Sequence, residues 1–245
     1  MARRLVLAAA VCAALAVLPA ASAQTRLTVF AASSLTDVLP QLAPGNAYSF
    51  GGSDTLATQL ELGAPADLFA SANTSLPAKL HARGVVERPV AFTRNALVVV
   101  VPASNPAHIS DVRDLTRHGV SVEVASASVP VGGYTQKVLT RLGLAKQVNA
   151  NVVSRETDVR SVLAKVALGQ ADAGFVYATD ARTVAKKVDV IRIPASAQPD
   201  VTYAIAVVAR STHQSAARAL VSKLRGKSGQ ALLARYGFLP LARGT

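Results

Sequence analysis

The sequence predicts an α/β protein with mixed, mostly parallel sheets, and three observations predict it. Short apolar runs alternate with amphipathic stretches along nearly the whole chain. Runs such as Leu97–Val101 are apolar at every position, which suits strands covered on both faces. Twice, a strand-like run ends in serine just before a helix-like stretch, at Val29–Ser34 and at Tyr48–Ser53. A hydroxyl at such a junction caps the helix. It also stands beside free backbone N–H groups and the positive end of the helix dipole, where an anion is received.

In chain order, Arg3 and Arg4, the apolar run Leu5 to Pro19 and the small residues Ala21-Ser22-Ala23 have the pattern of a secretory leader over residues 1–23. That run is too short to favour a permanent membrane span. Strands are expected at Leu27–Ala31, Ala47–Phe50, Asp67–Ala70, Ala96–Val101, Ser121–Ala125, Ala173–Val176, Val188–Ile193 and Val201–Ala209. Helices are expected at Leu35–Leu42 and Asp54–Leu62, each behind its serine, and at Leu76–Arg83. Further helices are expected at Gly132–Leu142, behind Pro130, and at Asp158–Leu168, opened by Thr157-Asp158. Val159, Val162, Leu163 and Val166 share one face of the latter. Ala178–Lys186 and His213–Leu224 complete the set. If the very apolar segments Asn95–Pro102 and Val201–Ala209 are crossovers, the chain forms two lobes and its tail folds back on the first. Ligands would then sit between the lobes, outside the carboxyl ends of strands. Periodicity alone describes a single-sheet domain equally well.

Composition excludes several classes. The only cysteine, Cys12, lies in the leader, preceded by Val11 and too early for a lipid-anchor site. The mature chain thus has no disulfide, thiolate metal site or cysteine nucleophile. The net charge of +12 is spread along the chain and aromatic residues make up only 4%, which argues against nucleic acid as a partner. His81, His108, His118 and His213 are scattered, without metal-ligand spacing. No Gly-x-Ser-x-Gly elbow, Ser-x-x-Lys pair or Walker motif occurs. A secreted hydrolase using Ser53, Asp54 and a distant histidine is the enzymatic alternative.

Several segments together resemble the periplasmic molybdate-binding proteins of ABC importers: Thr28–Asp37, Ser53–Leu56, Gly63–Ser71, Val129–Gly132, Thr157–Arg160, Gly174–Tyr177 and Arg235–Phe238. They cover nearly the whole mature chain in family order, and Gly63-Ala-Pro-Ala-Asp-Leu-Phe69 is the strongest piece. The resemblance implies a two-lobed, type 2 periplasmic-binding-protein fold that closes over molybdate or tungstate. It implies an exported, soluble, extracytoplasmic monomer without cofactor or catalytic activity, whose partner is the permease of an ABC transporter. The division taken is 24–97 with 204–245 for the first lobe and 98–203 for the second. Carried over by motif, the ligand-holding residues are Ser34 and Ser53 on the first lobe and Val131, Val159 and Tyr177 on the second. Two departures from the family pattern are a shortened region from Leu35 to Asn46 and Asp54 directly after Ser53.

Taken singly, each of these residues has an ordinary role: helix caps for the serines, core positions for the valines, a packed strand end for Tyr177. Together they make a set of neutral donors suited to a dianion whose hydration must be replaced. The valines would offer only backbone N–H groups. Asp67 is expected to tether a loop or cap a turn. Asp54 is expected to be a solvated first-turn acid, with proton acceptance from a hydrogen-bearing anion as the sharper alternative. Sulfate or phosphate in place of molybdate stays open at this point.

Overall fold

The computed structural model describes residues 25–241; the expected leader and Cys12 lie outside the described residues. Two five-stranded sheets organise the chain. The first holds β1 (Thr28–Ala32), β2 (Ala47–Gly51), β3 (Leu68–Ser71), β4 (Val90–Asn95) and β10 (Val201–Val207), in the order β2-β1-β3-β10-β4. The second holds β5 (Leu97–Pro102), β6 (Val122–Ala125), β7 (Val152–Glu156), β8 (Ala173–Tyr177) and β9 (Val188–Arg192), in the order β7-β6-β8-β5-β9. In each sheet one strand, β10 or β5, runs against the other four. The sheets are therefore mixed and mostly parallel.

The chain passes from the first sheet to the second at Ala96 and returns across residues 193–200. Tyr203, assigned above to the second lobe, lies in β10 of the first sheet, since that strand is one unbroken run from Val201.

Nine helices among the described residues cover these sheets. They are α1 (Leu39–Leu42), α2 (Ser53–Glu61), α3 (Ser75–Ala82), α4 (Pro130–Arg141), α5 (Ala145–Ala150), α6 (Val159–Ala167), α7 (Ala178–Thr183), α8 (Gln214–Arg225) and α9 (Lys227–Arg235). The first sheet shows the two-residue period of a strand buried on both sides. Phe30, Phe69 and Ala206 pack with Leu56, Leu60 and Leu80 of α2 and α3. Val29, Leu68, Ile205 and Val207 point into the main core, which also takes in Leu224 and Leu233 of α8 and α9. In the second lobe Val159, Val162, Leu163 and Val166 are all buried, so the apolar stripe of α6 faces its sheet as the spacing predicts.

Two expectations change. The region Leu35–Leu42 is not one helix: a single 3-10 turn, Ser33–Leu35, is followed by the short α1. Pro40 has no N–H and its ring would collide with the carbonyl of Thr36, so one continuous helix cannot form there. The second change adds elements: β4, β7, α5 and α9 are absent from the set expected above. β7 is an edge strand whose burial alternates between half-buried and exposed, which leaves a weak apolar signal. No helix among the described residues is long and apolar enough to cross a membrane.

Candidate functional site

β1 and β2 are parallel and end side by side at Ala32 and Gly51. Ser34 and Ser53 each stand two residues past that pair, so the topology brings the two hydroxyls to one sheet edge. Ser34 sits in the 3-10 turn and Ser53 is the first residue of α2. The second lobe contributes two helix starts and one strand end. Val131 follows Pro130 in the first turn of α4, and Val159 opens α6 behind its cap Asp158. Tyr177 ends β8 immediately before α7.

Contacts between their chain neighbours draw these five positions together. Ser128, just ahead of α4, donates its hydroxyl proton to Asp54 Oδ2 of α2 at 2.6 Å. A methyl at Gly52 would overlap the Thr157 carbonyl, so the start of α2 abuts the start of α6. Arg160, next to Val159, donates from Nε to Asp180 Oδ1 at 2.6 Å and from Nη2 to Asp37 Oδ2. It thereby ties α6 both to α7, behind Tyr177, and to the first lobe near Ser34. The Tyr203 hydroxyl lies 2.8 Å from Ser34 Oγ, and its ring meets that of Tyr177 with centroids 5.8 Å apart. The starts of α2, α4 and α6, with their positive dipole ends, are thus brought near three hydroxyls; at α6 the Asp158 cap takes the Arg160 and Ser161 N–H groups and leaves that of Val159. All five positions are 3% exposed or less.

The chain meets two steric demands to build this corner. At Gly132, in the first turn of α4, any Cβ would run into the carbonyl oxygens of Ser126 and Ala125 at the end of β6. Glycine lets the helix start press onto the strand end. At Gly52 the same holds across the cleft, against Thr157.

Proton bookkeeping fixes what the hydroxyls can do. Ser53 Oγ accepts the backbone N–H of Ala72 at 3.1 Å, so its own proton is left for another partner. The Tyr177 hydroxyl is buried and has no hydrogen-bond partner among the described residues. Burial pushes the Tyr177 phenol well above its ordinary range, with Tyr203 and Tyr134 adding to the rise, so it stays a protonated donor. None of the five is cationic.

Asp54 differs from the first of the two readings given above. It is not a freely solvated acid, since Oδ2 is held by Ser128 of the opposite lobe, while Oδ1 is buried without a partner. Asp67 is a tether. It accepts from the Thr28 backbone N–H at 2.7 Å, the Ser211 hydroxyl at 2.6 Å and His213 Nδ1 at 3.1 Å. Burial alone would raise its pKa; those hydrogen bonds outweigh burial and hold it below the usual range. His213 is thus engaged by Asp67, and no histidine is bonded to Ser53. The residues missed from sequence are Tyr203, Asn95, Thr179 and the Asp37–Arg160–Asp180 group, all brought in from distant segments.

A two-lobed α/β scaffold built on two mixed, mostly parallel sheets is the architecture of a solute-binding protein of the periplasmic-binding-protein class. The chain belongs to the family of bacterial extracellular solute-binding proteins, which it matches over residues 27–239. It is 40% identical to the molybdate-binding protein ModA of Mycobacterium tuberculosis over 86% of this chain and 84% of that one. It is 34% identical to ModA of Haemophilus influenzae, over 89% and 91% of the two chains. The periplasmic molybdate-binding protein of Azotobacter vinelandii has the same fold, with a TM-score of 0.79 at 24% identity over 89% of this chain and all of that one. These relatives are binding proteins and not enzymes, and the hydrolase alternative is set aside.

Proposed function

We propose that this protein captures molybdate, or its congener tungstate, outside the cytoplasm and delivers it to the membrane permease of an ABC importer. The observation that carries the reading is the set of unspent protons at the cleft. Ser53 is held from behind as an acceptor and Tyr177 is buried without a partner, both beside helix N-termini. Ser34, Ser53 and Tyr177 would donate hydroxyl protons to a tetrahedral oxyanion, and Val131 and Val159 would donate backbone N–H groups. Hydrogen bonds to a charged partner contribute about 1.5–3 kcal/mol each, so several of them offset the lost hydration of a dianion without a lysine or arginine. The names of the relatives support molybdate as cargo. The extracellular solute-binding family supports a periplasmic or otherwise extracytoplasmic place with a transporter as partner. A monomer without a nucleic-acid partner completes the proposal.

Titration calorimetry against molybdate, tungstate, sulfate and phosphate tests the cargo. Tight binding of the first two and weak binding of the others is expected; preference for sulfate or phosphate would reject molybdate. In Tyr177→Phe, affinity should fall roughly ten- to a hundredfold, the worth of one hydrogen bond to a charge. The ligand-free protein should lose no stability, because the deleted hydroxyl has no partner in the fold. Undiminished affinity would remove Tyr177 from the site.

A further inference from the structure

Asp54 is out of place in a receptor for anions. It follows Ser53 directly in the first turn of α2, so its carboxylate stands near the guest that Ser53 would hold. A helix N-terminus favours a negative charge, but an anionic guest is repelled by one. The one contact of this carboxylate gives it a different task. Its Oδ2 accepts the Ser128 hydroxyl proton at 2.6 Å, from a residue 74 positions away. Asp54 belongs to the helix after β2 of the first sheet, and Ser128 to the loop after β6 of the second. The bond therefore spans the cleft.

Both of its ends are held in place. Asp54 lies in a helical turn, and its own carbonyl accepts the Thr58 hydroxyl at 3.1 Å. The loop of Ser128 is tied down on both sides. The Ser126 N–H donates to the Glu156 carbonyl at 2.9 Å, and the Val129 N–H to the Ser126 carbonyl at 3.0 Å. A bond between groups already ordered loses little conformational freedom when it forms. The Ser128 hydroxyl has no second partner among the described residues. Once the lobes part, water solvates both groups, so this bond favours the closed arrangement alone.

We propose that Ser128 is a positioning residue that, through Asp54, latches the lobes over a bound oxyanion and slows its release. The inference rests on the anion-receptor reading above and adds to it a residue outside the ligand-holding set. An anion held between lobes leaves only after they separate, so a bond made only on closure acts on dissociation. Entry takes place between parted lobes, before the latch forms, and is not affected. The charge on Asp54 strengthens the latch, because a carboxylate accepts a hydroxyl proton more strongly than a neutral oxygen does.

The test is a two-by-two set: the parent, Ser128→Ala, Asp54→Ala and the double variant. Release of labelled molybdate into an excess of unlabelled molybdate gives the dissociation rate. Calorimetry gives the affinity, and the two together give the association rate. Ser128 is exposed and Asp54 half-buried, so the bond counts as a partly screened one. Ser128→Ala is expected to release molybdate roughly three- to tenfold faster, with association unchanged. In the Asp54→Ala background the same substitution should change nothing, because the acceptor is already gone. Unchanged release from Ser128→Ala overturns the latch. So does a loss confined to association, or one that persists without Asp54, which would place the effect in the loop itself. A parent that binds none of molybdate, sulfate and phosphate rejects the anion-receptor reading and the latch with it. A parent that prefers sulfate or phosphate rejects only the cargo; that anion then serves as the probe, and the same outcomes decide on Ser128.

Discussion

Gly52→Ala is expected to leave the ligand-free protein as stable as its parent and to lower oxyanion affinity about a hundredfold or more. Gly52 has φ −60° and ψ 131°, a conformation alanine adopts freely, so the backbone pays nothing for the change. The added methyl would overlap the Thr157 carbonyl, which belongs to the other lobe, and would also crowd Asp54 Oδ1. Asp54 can rotate; the Thr157 carbonyl, in the short bend between β7 and α6, has little room to move. The cheapest relief is to part the lobes. Parted lobes hold the donors of α2 and α6 too far apart to serve one anion, and hydrogen-bond strength falls steeply with such separation. Thermal unfolding with and without molybdate reads both halves of the result. The ligand-free midpoint should be unchanged and the ligand-induced rise largely lost. Parent-like affinity would mean that this contact does not limit closure.

Arg160→Met is expected to destabilise the protein by about 1–3 kcal/mol at neutral pH, the usual cost of leaving a buried polar group without its hydrogen-bond partner. Asp180 is 0% exposed, and burial pushes its carboxyl up to about 7 even though Arg160 pulls it down. The sign follows from that rise. A carboxyl whose folded pKa lies above the unfolded 3.8 favours the fold fully at lower pH, and its contribution is lost as pH climbs through about 7. Without Arg160 the carboxylate is harder still to ionise. The deficit of the variant should therefore shrink on acidification toward about pH 5, where Asp180 is protonated. Denaturant unfolding at the two pH values checks this, and adding Asp180→Asn should restore most of the loss. A deficit that does not vary with pH would place the cost in packing. Because Arg160 also reaches Asp37 of the first lobe, ligand affinity should fall with it.

The parts of the site legible in sequence are those whose cause is local. Pro130 and Thr157-Asp158 announce helix starts from their own chemistry, and α4 begins at Pro130 and α6 at Val159. The serine after each apolar run marks the ends of β1 and β2, which lie paired at Ala32 and Gly51. What could not be read is what depends on which segments meet. Tyr203 is 169 positions from Ser34, and nothing in a buried strand distinguishes a tyrosine that packs from one that orients a hydroxyl. Asp54 reads as an ordinary first-turn acid until Ser128 arrives from 74 positions away. Pro40 is visible in the sequence, yet the apolar spacing around it outweighs its break, so the helix expected at Leu35–Leu42 runs through it.

The place of β10 has a consequence for biogenesis. It lies between β3 and β4 in the first sheet, and β4 has no other strand neighbour there, yet it follows the whole of the second sheet in the chain. A nascent polypeptide lacking residues 201–207 therefore leaves β4 unpaired and the hydrophobic interior of that half open to solvent. Synthesis runs from the amino end, so the half that begins first is completed last. That first half therefore cannot close its sheet until residues 201–207 have been made.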